Sequence, residues 1–453
     1  MPVHFEFEQS NEYLTSHSGL AAIGQLIAQT RLTQRLDHTK LDGVRSPDIS
    51  NGDIMSSYLG LLCQGKNDFD AIEPFREDDF FALSLDLKLV PSSPTLRQRL
   101  DMAGASEDAD WQTILKEESA TLLKTINVPL TPIMIRLPDG TEQQFLPLDV
   151  DVSPFDNSKT KKEGTSRTYK AFDGYAPIFA YLAREGYNMN VELREGKQHC
   201  QNGTPAFLSQ SIHYARMITE QPLLVRLDSG NDSKDNLVVC HAEETKADYI
   251  IKRNLRKESR EEWLTVAQTK GICCEQREGK KVYIGSTSLY VKEMQQSVRV
   301  VFQVTERTIT KDGQVLFVPE IEVDTYWTSL TCSAWQVIEL YHDHGTSEQF
   351  HSEIKTDLDM ERLPAGKFKT NDVILHAGVF AYNLLRIIGQ QSLQTPFSPL
   401  KKSVQRRRIR TVIQNMIYLA ARLVRHARKW KLRFGCYCPW FHTVKQMYTT
   451  ASL

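Results

Sequence analysis

Four side chains in one short run carry the most suggestive chemistry: Tyr341, His344, Glu348 and Lys355, spaced three, four and seven residues apart. On an α-helix those offsets stack on one face. A phenol, an imidazole, a carboxylate and an ammonium make a poor core surface but suit a metal ion beside a phosphate. The carboxylate would ligate the metal and the donors would hold phosphate oxygens. A solvated face of mixed charge has the same composition, so carboxylates elsewhere decide between the two readings. Asp149 and Asp151 fall on one face of an alternating strand over 144–153, and Asp228 ends an apolar strand over 221–228, just before a Ser-Gly turn. With Glu348, these carboxylates sit at element ends in an α/β pattern, where ligands gather in open sheets. Clustered carboxylates repel one another unless cations are present. Two Mg²⁺ ions about 4 Å apart would relieve that repulsion and would activate water or a 3′-hydroxyl while stabilising the leaving oxygen of a phosphodiester. Asp156 and Asp173 read as turn residues.

The elements needed to position such a site emerge from the pattern. Residues 1–140 read as short helices, with Ser16 or Ser18 capping a helix over 20–27 and Ser93-Pro94 opening another that carries Arg97 and Arg99. Those two arginines are weak candidates for a DNA groove. From 141 to 235 the chain alternates strands (144–153, 176–182, 187–193, 221–228) with a helix over 206–217. Residues 236–330 are strand-rich, with a hairpin turn at Lys311-Asp-Gly313, and look like an inserted β domain. The stretch 331–395 carries the polar run and then an apolar helix over 373–388. Residues 396–453 read as a basic region with a long helix over 404–433.

At 453 residues the chain has room for roughly three domains. No run of roughly 18 apolar residues suggests a membrane span, and the first residues lack a signal-peptide pattern, so a cytoplasmic protein is expected. The eight cysteines show no disulfide-rich spacing. Cys436, Cys438 and His442 match zinc-ligand spacing poorly. Net charge is −1, yet residues 395–453 hold thirteen Lys and Arg and no acidic residue. Arg406, Arg407 and Arg408 stand in its first part, after Lys401 and Lys402. A one-sign segment of that length suggests a polyanion, although the acidic first 150 residues could also neutralise it.

The order Asp, Asp, β-rich insertion, Glu, with Tyr-x2-basic-x3-Glu-x6-Lys, resembles the DDE transposases of bacterial insertion sequences. The match is to the cut-and-paste branch with a YREK signature. It spans roughly 149–433, including the stretches around Asp151 and Asp228, Lys161 and Lys162, residues 186–196 and Tyr382-Asn-Leu-Leu. The resemblance implies an α/β fold with an RNase H-like catalytic core, an inserted β-strand-rich domain, a helical N-terminal DNA-binding region and a basic helical C-terminal region. It implies Asp151, Asp228 and Glu348 as catalytic metal ligands for two Mg²⁺ ions, with Mn²⁺ able to substitute. Asp149 is the alternative first aspartate, ranked second because Ser153 comes after Asp151 as the family prefers. Tyr341, His344 and Lys355 would position phosphates, with Arg226, Lys161, Lys162 and Arg406–Arg408 as further DNA contacts. His344 stands where the family usually has Arg, and its charge depends on pH. The implied partners are double-stranded DNA, as element inverted repeats and target, and a second protomer in a synaptic complex, with the protein on the bacterial nucleoid when bound. Trp263 or Trp327 could stack on a flipped base, although a tryptophan in a β domain is more often core. Rival readings are a metal-dependent nuclease or resolvase of the same fold, an inactive transposase-derived DNA-binding protein, and a two-carboxylate glycoside hydrolase.

Overall fold

The computed structural model describes residues 3–44, 47–310, 312–401 and 403–451. Lys311, at the expected hairpin turn, and Lys402, in the basic run, lie outside these. The chain divides into two compact units: Ser119–Ser352 is one, and Met1–Glu118 with Glu353–Leu453 is the other. In chain order the strands are β1 (Leu14–Thr15), β2 (Ile133–Arg136), β3 (Glu142–Val152), β4 (Phe155–Asp156), β5 (Ser166–Arg167), β6 (Asp173–Tyr175), β7 (Ile178–Leu182), β8 (Tyr187–Glu192), β9 (Leu223–Leu227), β10 (Asp248–Arg253), β11 (Gly271–Arg277), β12 (Lys280–Val291), β13 (Gln296–Ile309), β14 (Val315–Thr328), β15 (Ala421–His426) and β16 (Lys429–Phe434).

The central unit is built on a ten-stranded mixed sheet in the order β11-β12-β13-β14-β10-β9-β3-β7-β8, with β2 paired to β3. Strands β3, β9 and β10 run parallel, and the other pairings are antiparallel. Every residue of β7 and β9 is buried, which is why β7 reads as an unbroken apolar run and β9 as one interrupted only by Arg226, which is paired with Asp149. The strands of the segment expected as an inserted β domain are continuous with this sheet. Strand β14 pairs antiparallel with β10, with Ile250 opposite Thr328, and β13, β12 and β11 extend outward from it. Short turns and long alternating strands favour such edge-to-edge growth over closure into a separate barrel. A core of Ile135, Phe145, Leu224, Ile250, Val301 and Tyr326 joins the outer strands to the helix Ala334–His342 through Val337 and Ile338. Ser333 caps that helix by accepting from the Gln336 amide.

The other unit is assembled from both ends of the chain around the helix Phe368–Gln394, which is buried from Val373 to Gln390. That helix has the length and composition to cross a bilayer, yet 94 % of its most apolar window is buried in protein, as in a core helix. The helix Ser93–Ala105 packs on it. A Cβ on Gly104 would stand 2.8 Å from the Thr370 amide nitrogen, so only glycine allows this approach. Ser92, not Ser93, caps the helix Ser93–Ala105, and Gly19 precedes the first helix without any side-chain cap. Arg99 is buried and donates to Asn51 Oδ1 at 2.7 Å, so it serves packing rather than a groove.

The long basic helix expected over 404–433 does not form. After a short helical segment (Ile409–Val412) and a π-turn (Ile413–Ile417), the chain makes the hairpin β15–β16. Its period is two: Trp430, Leu432 and Phe434 alternate with Lys429, Lys431 and Arg433. Ala427 and Arg428 both have positive φ (49° and 63°), the backbone of a tight two-residue hairpin turn. Strand β1 adds to the other side of β15, completing a three-stranded sheet.

Candidate active site

Strand register sets the first two carboxylates side by side. β3 and β9 are parallel neighbours with Val150 opposite Leu227, so Asp151 and Asp228 come together at the carboxyl ends of both strands. Asp151 is the last residue but one of β3, and Asp228 is the first beyond β9. Burial raises the pKa of Asp228, and the neighbouring charge of Asp151 adds to the rise. Asn231 Nδ2 donates to Asp228 Oδ1 at 2.7 Å, holding the carboxylate in the turn. Burial alone would raise the pKa of Asp151 too, but His351 outweighs it and the pKa falls. His351 Nε2 lies 3.4 Å from Asp151 Oδ2, while its Nδ1 is 3.2 Å from the Tyr181 hydroxyl. A tyrosine O–H donated to Nδ1 leaves the Nε2 proton facing Asp151.

Asp149, two residues earlier on the same strand face, has a different fate. Arg226 grips both of its oxygens, Nε to Oδ1 at 2.6 Å and Nη2 to Oδ2 at 2.8 Å, across the β3–β9 pair. His344 Nδ1 lies 3.1 Å from Asp149 Oδ1. All three side chains are buried. Burial would raise the Asp149 pKa, but the Arg226 and His344 charges hold it down at about 2. Burial likewise opposes charge on His344, and Asp149 reverses that, raising its pKa. Arg226 Nη1 also donates to the Leu340 carbonyl at 2.7 Å, tying the sheet to the end of the helix Ala334–His342. Asp149, Arg226 and His344 therefore form an internal clamp. None of the three is placed to meet DNA, contrary to the expectation for Arg226 and His344, because a buried carboxylate needs both cations.

The polar run is not one α-helix. Tyr341 is in the helix Ala334–His342, His344 in a 3₁₀ turn (Asp343–Thr346), Glu348 in the helix Ser347–Ser352 and Lys355 in a π-turn (Glu353–Asp357). Four residues at three per turn, instead of 3.6, rotate the downstream side chains by roughly 80°. His344 thus turns inward while Glu348 is exposed. Lys355, half-buried, belongs to the other compact unit. Tyr341 packs on Tyr326 with ring centroids 4.9 Å apart; burial raises its pKa, and the charges of Asp228 and Asp151 raise it further. Its hydroxyl therefore stays protonated beside the paired aspartates. Among the described residues, no three His, Cys, Asp or Glu side chains form a group that could hold a metal ion. Asp151 and Asp228 are brought together, and Glu348 is not joined to them. Their hard oxygen donors and mutual repulsion still fit a divalent cation.

Other expected contacts fall elsewhere. Lys161 is exposed, and Lys162 donates to Asn157 Oδ1 at 3.1 Å. Arg406 pairs with buried Glu353 at 2.5 Å, and Arg408 with buried Asp357 at 2.9 Å. Arg407 is buried over the Trp440 ring at 4.4 Å, and burial lowers its pKa to about 10. Arg406 and Arg408 thus neutralise the chain's own carboxylates, and Arg408 keeps half of its side chain exposed. Trp263 and Trp327 are both buried, their indoles donating to Glu258 at 2.8 Å and Asp232 at 3.0 Å, so neither can stack on a flipped base. His351 escaped the sequence reading, although its offset of three from Glu348 and seven from His344 was a usable signal.

No curated protein matches this chain. A solved structure of the piggyBac transposase, in a synaptic complex with hairpin DNA, is similar over 90 % of this chain and 82 % of that one, at 10 % identity and a TM-score of 0.39. The family model described as transposase DDE domain group 1 matches residues 3–452, so the sequence-level resemblance extends from the paired aspartates to nearly the whole chain, which belongs to that family.

Proposed function

We propose that this protein is a DNA transposase of an insertion sequence, cutting at the element's ends and joining the freed 3′-hydroxyl to target DNA. The observation that carries this reading is the pairing of Asp151 and Asp228 at adjoining strand ends, with burial and the Asp151 charge raising the Asp228 pKa. The order β8-β7-β3-β9-β10, with β7 running against its neighbours, supports reading the core as RNase H-like and β11–β14 as its insertion.

In this reading Asp151, Asp228 and Glu348 hold divalent metal, Mg²⁺ or Mn²⁺. Glu348 is one helical turn from His351, whose Nε2 lies 3.4 Å from Asp151 Oδ2, and this sequence offset is what supports including it in the set. Bound there, the metal would supply Lewis-acid activation of the attacking oxygen and charge neutralisation on the phosphate. The chain's own part is positioning. His351 and Tyr181 fix the orientation of Asp151, Asn231 fixes Asp228, and the protonated Tyr341 hydroxyl can donate to a phosphate oxygen. Lys161 and Arg408, both exposed, are the DNA contacts that stay available. Lys355 lies seven residues after Glu348 and is proposed to meet the same backbone. DNA is the partner, and pairing of two ends would bring two protomers together.

The test is cleavage and joining on linear DNA bearing the element's terminal repeats, with Mg²⁺ or with chelator. Wild type is expected to cut and join only with metal, and Asp228→Asn and Glu348→Gln to lose both activities by at least about a hundredfold while retaining binding. Cutting that survives either substitution would overturn the assignment. Metal-dependent cutting without joining would make the protein a nuclease of this fold.

A further inference from the structure

The sheet β1–β15–β16 has an open edge, since among the described residues β16 pairs only with β15. One side of β16 presents Trp430, Leu432 and Phe434 to a cavity of about 660 Å³ that Phe80, Leu83 and Val444 also line, with Lys431 and Arg433 contributing to its rim. Trp430 remains 47 % exposed there. Alternation puts Lys429, Lys431 and Arg433, all exposed, on the other side. An edge strand studded with cations rejects neutral or basic strands and selects an acidic one.

The chain itself carries a strand of the complementary pattern. Val3, Phe5 and Phe7 alternate with His4, Glu6 and Glu8, and the three apolar side chains stand 75 %, 76 % and 99 % exposed. We infer that this N-terminal arm adds to β16 of a second copy of the chain, with its phenyl rings in the cavity and its glutamates against Lys429, Lys431 and Arg433. Backbone hydrogen bonds of an added strand supply affinity, and the alternate side chains supply selection. A volume of this size has room for two phenyl rings.

Reaching its own β16 would consume much of the arm. The Leu423 amide donates to the Tyr13 carbonyl at 2.8 Å, and Arg422 pairs with Glu12 at 2.8 Å, so the arm departs from the far edge of β15. A strand beyond β16 lies three strand spacings away, about 14 Å. The four links from Glu12 to Glu8 span at most about 14 Å in a straight line, so pairing within one chain would leave only the residues before Glu8 to form the strand, whereas a second copy sets no such limit. Reciprocal exchange between two copies closes with two-fold symmetry.

The experiment uses full-length chains without DNA. Light chains carrying p-benzoylphenylalanine in place of Phe5 are mixed with ¹⁵N-labelled wild type, irradiated and digested. Light–heavy crosslinks into the peptide spanning 429–434 are expected. Glu6→Lys with Glu8→Lys should lower their yield by about tenfold, and Lys431→Glu with Arg433→Glu in the partner should restore it. Phe5→Ser with Phe7→Ser lies in exposed chain, cannot unfold a core, and should abolish the concentration-dependent dimer in sedimentation. Crosslinks confined to one chain, no crosslink at 429–434, or an unchanged dimer in the serine variant would overturn the inference. So would loss of duplex-DNA binding in Leu432→Asp without any arm crosslink in wild type, which would make the groove a DNA surface.

Discussion

Asp149 and Asp151 show how two like residues on one strand face acquire opposite roles. Alternation alone left them equivalent. The difference lies in the neighbouring strand, where Arg226 stands opposite Asp149 in register, a pairing no local pattern reveals. Removing one partner of a buried ion pair strands the other, so Arg226→Met and Asp149→Asn should each destabilise the protein by about 3–5 kcal/mol in urea unfolding. Asp151→Asn relieves the repulsion on Asp228 but loses the His351 contact, so it should cost less stability than either clamp substitution while abolishing cleavage. A large loss of stability in Asp151→Asn would mean that Asp151, too, is structural. The clamp also sets a pH window. Asp149, held down at about 2, contributes about 2 kcal/mol that is fully present above its unfolded value and lost as pH falls through about 2. His344 is raised, so its contribution is complete below its unfolded value of about 6.5 and lost as pH rises through the folded one. The Tm difference between wild type and His344→Gln should therefore shrink as pH climbs above neutrality. A difference that grows with pH would refute the charged His344–Asp149 pair.

The elements were legible where a pattern is local, and obscure where a turn changes its phase. Strands β3, β7, β8 and β9 stand within a few residues of where apolar runs place them. The polar run was misread as one helix because the four 3₁₀ residues Asp343–Thr346 carry no Pro and keep the helical register in sequence. The β15–β16 hairpin was misread as a helix because its turn is Ala427-Arg428 rather than Asn-Gly. One glycine joins these elements to the site. Gly186, in the turn between β7 and β8, has φ of +72°, and a Cβ there would stand 2.3 Å from the Phe350 ring. Phe350 shares the helix Ser347–Ser352 with Glu348 and His351, so this turn seats the helix that carries the proposed third carboxylate. Gly186→Ala combines a left-handed backbone with a clash and should cost about 2–4 kcal/mol. It should also reduce cleavage under conditions where the protein remains folded. Full cleavage in a destabilised Gly186→Ala would separate the seating of this helix from the chemistry.

For the molecule as a whole, the charge imbalance along the sequence is resolved by folding. The acid-free tail and the acidic N-terminal segment belong to one compact unit, and β1 pairs with β15 inside it. Composition showed the imbalance but not its outcome, because the carboxylates that neutralise Arg406 and Arg408 are Glu353 and Asp357, roughly fifty residues upstream. A detachable DNA-binding tail and an integral part of a core predict different truncations. Deleting 396–453 removes the buried Ile409, Val412, Met416 and Ile417, and takes away Arg406, Arg408 and Arg410 from carboxylates that are 2 % and 0 % exposed. The lost apolar burial is worth several kcal/mol, and two buried carboxylates short of partners add to it. The truncated chain should accordingly lose the cooperative unfolding of this unit and expose the helix Phe368–Gln394 to protease. A deletion from Phe441 onward, sparing the arginines and the hairpin, should be milder. Limited proteolysis with urea unfolding of both truncations distinguishes the cases: a shortened chain ending at Thr395 that keeps a protected helix Phe368–Gln394 would show that the basic segment is an appendage after all.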